Sequence, residues 1–254
     1  MRRPLPLVAL LLLLAPLLVE PGAFGQTEPP GAASATLAVG QLPSVIDMPL
    51  FLRLYRAAVP AGREATYEGS SLLLYALAGQ LTLTDDVSGG GGEAHTLATG
   101  AGAFIPAGHI VRLRAGSAQP AELLLFVLTA RPNQRRPLLD RPVVVRELFR
   151  TPEPLPGLQP GPYELTLSRV TLPLSGSPSP AYWRSGAALD YVLAGTATLA
   201  AATGGSETAA AGAPLFERFG WVHRLTNAGG APLVLLQANL SQEGAQAVQR
   251  VAEK

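Results

Sequence analysis

Short apolar or alternating runs, separated by turn residues, extend through most of the chain. Examples are Leu72–Leu77, Leu81–Thr84, Leu123–Thr129, Leu189–Leu193 and Leu233–Leu236. Gly, Pro, Asp and Ser clusters separate these runs at intervals of roughly ten residues, which is typical of antiparallel sandwiches and barrels. Gly79 and Gly195 each end one run, at a point where glycine takes a positive φ without steric cost. The pattern therefore predicts an all-β protein.

The N-terminal segment departs from this pattern and has the layout of a secretory signal peptide. Arg2 and Arg3 precede an apolar stretch over Leu5–Val19, and the small-x-small sequence Ala23–Gly25 follows it. The stretch is shorter than the ~20 residues that span a bilayer, which disfavours the alternative of an uncleaved anchor. We therefore predict that residues 1–25 are a signal and that the protein is secreted or periplasmic, with no membrane partner after cleavage.

The two halves of the chain align with each other. Tyr75–Leu83 (YALAGQLTL) and Tyr191–Leu199 (YVLAGTATL) agree at six of nine positions. Further matches lie upstream, in LYRAAVP and LSRVTLP, and downstream, in GAFIPAGHIVRL and PLFERFGWVHRL. The offset of 191 − 75 = 116 residues far exceeds the roughly 20–50 residues of solenoid repeats, so the sequence indicates a duplicated domain.

The duplication and the turn-rich segments divide the chain into six parts. We predict a signal peptide at 1–25, a tether and first strand region at 26–47, an N-terminal barrel at 48–131, a Pro-rich linker at 132–160, a C-terminal barrel at 161–241 and a terminal helix at 242–254. The linker contains a candidate strand at Val143–Phe149. The helix prediction rests on Ser241 as a cap and on the spacing of Ala245, Val248 and Val251.

The glycine framework of both halves resembles the cupins, and in particular the two-domain bicupins. The second cupin motif is G-x5-P-x-G-x2-H-x3-N. The first half keeps the glycines and the proline of this motif, at Gly100, Pro106 and Gly108. The second half keeps its glycines, histidine and asparagine, at Gly212, Gly220, His223 and Asn227. The resemblance implies two tandem cupin-type, jelly-roll β-barrels.

Most metal-ligand positions of the family hold other residues. Leu72 and Ala188 stand where the family has Glu, and Val111 stands at a His position of the first half. Two spacings of the motif are possible, so the paired His positions have two assignments in each half. In the first half they hold Thr66 and Glu68, or Ala65 and Tyr67. In the second half they hold Tyr182 and Arg184, or Ala181 and Trp183. Transition metals need three or four converging ligands. We therefore expect no metal and no cofactor, with His223 as the one remaining candidate ligand.

Candidate chemistry lies in the second half. Asp190 shares a strand face with the Glu position of the family, so His223 and Asp190 are a candidate acid–base pair. A candidate ligand pocket with aromatic walls, and with an arginine for a carboxylate, comprises Tyr182, Trp183, Arg184, Trp221 and His223. The alternative is a barrel that large side chains simply fill. In the first half His109 and Glu68 are fainter candidates, and His95 is expected in a solvated hairpin.

Composition and charge narrow the function classes. The chain has no cysteine, which excludes disulfides, Cys-ligated metals and thiol nucleophiles. Removal of the signal would leave 19 − 2 = 17 basic and 18 − 1 = 17 acidic residues, and this balance disfavours nucleic acid as a partner.

Two functions from different classes remain. The first is an exported bicupin without a complete metal site, acting as a small-ligand-binding or structural module. The alternative is an extracytoplasmic cupin enzyme, of isomerase, lyase or oxygenase type, built around His223. The loss of ligand positions favours the first, with a small molecule as partner, and the resemblance adds homo-oligomers as an expectation.

Overall fold

The computed structural model describes residues 29, 31–45, 48–86, 92–130, 138–140, 142–174 and 177–252. These residues form nineteen strands and no helix. In chain order the strands are β1 (Ala33–Val45), β2 (Phe51–Val59), β3 (Glu64–Glu68), β4 (Ser71–Ala78), β5 (Leu81–Asp85), β6 (Ala94–Leu97), β7 (Gly102–Ile105), β8 (Ile110–Ala115), β9 (Ala121–Thr129), β10 (Val144–Arg150), β11 (Gly161–Leu172), β12 (Tyr182–Arg184), β13 (Ala187–Ala194), β14 (Thr196–Ala201), β15 (Ser206–Ala210), β16 (Pro214–Glu217), β17 (His223–Asn227), β18 (Leu233–Gln242) and β19 (Val248–Arg250). The predicted signal peptide lies outside the described residues, and within them no helix has the length and hydropathy needed to cross a membrane.

The strands form four antiparallel sheets, two in each half of the chain. In the first half, the sheet β10-β2-β9-β4-β7 shares a core with the sheet β3-β8-β5-β6. In the second half, the sheet β1-β11-β18-β13-β16 shares a core with the sheet β15-β14-β17-β12-β19. The all-β prediction is therefore confirmed, and each half is a two-sheet barrel.

A third core joins the two halves. Side chains alternate between the faces of a strand, so a sheet can have one face inside its own barrel and one face outside it. On β4, Leu73 and Tyr75 belong to the central core, whereas Leu72 and Leu74 fill the first barrel. The central core takes apolar side chains from the sheet that contains β4 and from the sheet that contains β11, and this burial holds the two halves against each other.

The first strand crosses from one half to the other. β1 precedes the first barrel in sequence but pairs with β11 of the second, from Ala33↔Thr171 to Val45↔Gly161. The predicted tether and first strand region, 26–47, thus contains β1 from Ala33 to Val45. Within the predicted linker, β10 occupies the place of the candidate strand and pairs with β2. β1 and β10 therefore pair with backbone groups that β11 and β2 would otherwise expose, and become the edge strands of these two sheets.

The terminal helix prediction is wrong. Val248–Arg250 is strand β19, which pairs with β12 through Arg184↔Val248 and Tyr182↔Arg250. Gly244, with φ of 74°, forms a turn after β18 instead of continuing a helix. A helix this short is marginal by itself, and β12 offers backbone partners that bury Val248. Tertiary pairing therefore overrides the helical spacing.

Candidate functional site

A buried carboxylate lies at the centre of the C-terminal barrel. Glu217 is fully buried, and three side chains donate hydrogen bonds to its Oε2: the Tyr182 hydroxyl at 3.1 Å, Arg184 Nε at 2.5 Å and His223 Nε2 at 2.9 Å. Gln237 Nε2 donates to Oε1 at 3.4 Å. Two of the donors are cations or can become cations, so the carboxylate is the hub of a charged hydrogen-bond network.

Strand pairing explains why these side chains meet. Tyr182 of β12 pairs with His223 of β17, and both side chains are buried in the barrel. From the other sheet, Glu217 of β16 pairs with Ala188 of β13. Directly paired residues project to the same side of a sheet. Because Ala188 stands where the cupin motif has Glu, a carboxylate reaches that part of the barrel from the neighbouring strand instead.

Further polar side chains extend the cluster. Gln237 Nε2 donates to Asp190 Oδ1 at 2.8 Å, and Arg184 Nη1 donates to Asn239 Oδ1 at 3.1 Å. His223 Nδ1 lies 2.7 Å from the backbone carbonyl oxygen of Trp221. Both ring nitrogens of His223 thus face oxygen atoms. We refer to Tyr182, Arg184, Asp190, Glu217, His223, Gln237 and Asn239 together as the Glu217 cluster.

The two buried carboxyl groups of the Glu217 cluster have opposite pKa shifts. Burial by itself would raise the pKa of Glu217, but the Arg184 charge and the hydrogen bonds from His223 and Arg184 outweigh it and lower that pKa below the usual range. Burial raises the pKa of Asp190 well above its ordinary value, and the nearby Glu217 charge raises it further. Burial also raises the pKa of the Tyr182 phenol, which remains a hydrogen-bond donor. One carboxyl group is therefore held ionised and the other is held protonated.

At five positions of the Glu217 cluster, the N-terminal barrel has an aliphatic side chain instead. The strand pairings show which positions of the two barrels are equivalent. The pair Leu72↔Ile105 corresponds to Ala188↔Glu217. The pair Leu74↔Leu125 corresponds to Asp190↔Gln237. The substituted positions are Leu74 for Asp190, Ile105 for Glu217, Val111 for His223, Leu125 for Gln237 and Val127 for Asn239. The fold itself therefore does not require the polar set.

The structure brings some predicted site residues together and separates others. Tyr182, Arg184 and His223 all contact Glu217. Asp190 is buried in the same barrel, but its hydrogen bond comes from Gln237 and not from His223. The acid–base pair suggested by the sequence is therefore not a direct contact.

The two tryptophans do not line the barrel interior. Trp183 is half-buried, and strand alternation places it on the face of β12 opposite Tyr182 and Arg184. Trp221 is 48% exposed, and the Arg218 guanidinium lies 4.6 Å from the centre of its ring. Among the candidate aromatic walls, only Tyr182 belongs to the cluster.

The first-half candidates do not form a comparable site. His109 Nδ1 lies 2.7 Å from Asp85 Oδ2 in a partly exposed pair, and Glu68 and His95 are exposed. A glycosylation sequon spans Asn239 to Ser241, but Asn239 is buried inside the C-terminal barrel, so the folded chain does not present it.

Glu217, Gln237 and Asn239 are absent from the residues that the sequence suggested. The available signal for Glu217 was its alignment with Ile105 in the downstream repeat, where a carboxylate replaces an apolar residue. For Gln237 and Asn239 the signal was two polar residues in alternation within the apolar run of β18.

No family model matches the chain, and no curated protein matches it. Among solved structures, it is similar to Bacillus subtilis oxalate decarboxylase, in a study of Mn(II) centers, with a TM-score of 0.53, 16% identity and coverage of 88% of this chain and 76% of that one. It is also similar to a Lactobacillus farciminis oxalate decarboxylase formate complex, with a TM-score of 0.54, 11% identity and coverage of 83% and 88%. At this level of identity, the similarity concerns the fold.

The Glu217 cluster does not fit the Mn(II) named for the Bacillus subtilis neighbour. Mn(II) sites use several converging imidazole and carboxylate ligands. Here the Arg184 guanidinium already binds the Glu217 oxygen that faces His223. In the described part of the chain, no group of three or more His, Cys, Asp or Glu is placed to hold a metal ion. The permanent cation of this barrel is a guanidinium.

Proposed function

We propose that this chain, a bicupin by its fold, is an exported small-ligand-binding module that works without a resident metal, and that its C-terminal barrel binds the ligand. The observation that carries the proposal is the Glu217 cluster, a buried charged network in one barrel of two. Export rests on the signal-peptide layout of residues 1–25.

Energetics favour a binding role for this network over a stabilising one. Replacing a buried ion pair by well-packed apolar residues is often neutral or stabilising, because desolvation offsets the Coulomb attraction. The N-terminal barrel is built in that apolar way, with Ile105 and Val111 in place of Glu217 and His223. A network that the fold does not need is well explained by a ligand that uses it.

Two unsatisfied groups beside the network indicate the chemistry of the ligand. Gln237 Oε1 and Ser168 Oγ are buried and have no hydrogen-bond partner within the described residues. The two residues pair directly, β11 to β18, on the interior face of the barrel. The equivalent of Ser168 in the first barrel is Tyr55, which pairs with Leu125. A group that both donates and accepts would satisfy both atoms, so the proposed ligand is a small hydroxyl-bearing molecule.

An enzyme in the same barrel is the second candidate. Asp190 and Glu217 have pKa values shifted in opposite directions, and this separation is the usual basis of acid–base assignments in active sites. In this reading the protonated Asp190 is the general acid, and besides burial it is the charge and hydrogen bond of the Glu217 carboxylate that raise its pKa.

The test uses the two tryptophans, Trp183 and Trp221, which are the only ones in the chain and flank the cluster residues of β12 and β17. Millimolar glycerol and erythritol are titrated into the purified protein, with tryptophan emission and calorimetric heat as readouts. We expect saturable binding that Gln237→Leu abolishes and that Tyr55→Phe in the other barrel leaves intact.

Equal responses of the wild type and Gln237→Leu, or no response from either, would contradict binding at this site. Elemental analysis of the same sample tests the metal-independent part, which a stoichiometric transition metal would overturn. Turnover of a bound hydroxyl compound that is lost in Asp190→Asn would favour the enzyme.

A further inference from the structure

A buried arginine lies inside the otherwise apolar N-terminal barrel. Arg53 of β2 is 5% exposed and shares the interior face with Tyr55 and Ala57. Its partner on β9 is Val127, which is also buried. Arginine is almost never buried unless it is paired, so this position needs an explanation.

The partners of Arg53 do not satisfy all of its donors. Arg53 Nε donates to Glu147 Oε2 at 2.9 Å, and its Nη2 also donates to that oxygen. Arg150 donates to the same carboxylate, from Nε to Oε1 at 3.0 Å. The Arg53 Nη1 atom is buried and has no hydrogen-bond partner among the described residues. One carboxylate thus accepts hydrogen bonds from two guanidinium groups, while the buried N–H groups on Arg53 Nη1 have no described acceptor.

Charge points to the kind of group that is missing. Arg53 and Arg150 are permanently charged guanidinium groups, and both bind the Glu147 carboxylate. Burial, the largest of several effects, raises the pKa of Tyr55 to about 12, so this phenol adds no negative charge at neutral pH. A small anion would give the Arg53 N–H edge its acceptor beside these charges.

Two members of the group are partly exposed to solvent. The Arg53 side chain is 6% exposed, whereas those of Glu147 and Arg150 are 29% and 38% exposed. The guanidinium of Arg53 lies 4.9 Å from the centre of the Tyr55 ring, and this stacking fixes its orientation. An anion entering past Glu147 and Arg150 would meet the Nη1 edge at the inner end of the group.

We propose that Arg53, Arg150 and Tyr55 form a binding site for a small monocarboxylate in the N-terminal barrel, with Arg53 Nη1 as its innermost donor. The planar guanidinium fork matches the two oxygens of a carboxylate, which a spherical chloride does not use. This site lies in the other barrel from the Glu217 cluster and does not depend on the function proposed above.

The test is calorimetric titration of the full chain with sodium acetate, against sodium chloride at equal ionic strength. We expect saturable acetate binding in the wild type, at least about tenfold weaker binding in Arg53→Met, and an intermediate loss in Arg53→Lys, which keeps the charge but not the fork. Arg56→Met is the matched control, because Arg56 lies on the same strand with its side chain 47% exposed in a surface pair with Glu122.

Each outcome bears on the proposal. If Arg53→Met does not fold, as judged by circular dichroism, Arg53→Lys and Arg150→Met carry the test, and both should weaken acetate binding. Acetate binding that none of these variants changes would overturn the site. The absence of acetate binding to the wild type would also overturn the site, and the role of Arg53 would then be to hold β10 against β2 through Glu147.

Discussion

Replacing Glu217 by leucine should strongly destabilise the C-terminal barrel. The change removes the carboxylate that contacts both Arg184 and His223, and both of those side chains remain almost fully buried. Arg184 keeps its hydrogen bond to the neutral Asn239 oxygen. A buried positive charge that has lost its contacting carboxylate is the costly species in this variant.

The structure sets the magnitude. Glu217 and Arg184 are both 0% exposed as side chains, so solvent screening does not reduce the effect. Breaking such a pair from one side costs about 3–5 kcal/mol, a large part of the roughly 5–15 kcal/mol that stabilises a typical domain. Removing both charges, in the double variant Arg184→Met with Glu217→Leu, should recover at least ~2 kcal/mol, because no unpaired charge is left.

Urea unfolding followed by tryptophan fluorescence measures this, since both tryptophans lie in the C-terminal half. The matched control is the cycle of Arg56→Met with Glu122→Leu, a pair with side chains 47% and 39% exposed, for which coupling below ~1 kcal/mol is expected. Additive effects of the two buried substitutions, or a loss below ~1 kcal/mol for Glu217→Leu, would refute the view that the network is held by buried charge.

Two further predictions concern pH and packing. In Asp190→Asn, the free energy of unfolding should rise relative to wild type as the pH increases above about 4, because the raised pKa of Asp190 makes the folded wild type hold a proton that the unfolded chain releases. Denaturation series at several pH values measure this gap, and a gap that does not change with pH would contradict it. Gly186→Ala should lower the free energy of unfolding by more than about 2 kcal/mol, because the new Cβ would collide with the Leu240 carbonyl oxygen. The control is Gly230→Ala, where a new Cβ has no atom within 4 Å, so the free energy of unfolding should change by less than ~0.5 kcal/mol. Equal melting temperatures for these two glycine variants would show that β18 moves aside at little cost.

Much of the fold was predictable because its signals are local. Alternation along segments such as Leu123–Thr129 reports a strand with a buried face, and Gly79 and Gly195 have the expected positive φ, at 77° and 85°. The repeat of YALAG as YVLAG predicted two copies of one barrel, in agreement with the bicupin neighbours. At the C-terminus, local spacing was misleading, because the free edge of β12 pairs with Val248–Arg250.

The candidate site was predictable only in part. Tyr182, Arg184 and His223 were found because a motif fixed their positions in the barrel. Glu217 was not, because its role depends on lying opposite Ala188 across two strands, and strand register is not visible in either segment by itself.

By itself, the sequence determined the all-β class, the duplication and the reduced set of metal-ligand positions, since periodicity, repetition and residue identity are properties of the chain. Only the tertiary structure decided that β1 completes the sheet of the distant half, and that Arg184 and Glu217 meet inside the C-terminal barrel while Ile105 takes the place of Glu217 in the N-terminal one. The reason is physical. Hydrogen-bond register and sheet packing bring together residues far apart in the chain, and the charge, burial and pKa of each group depend on those neighbours.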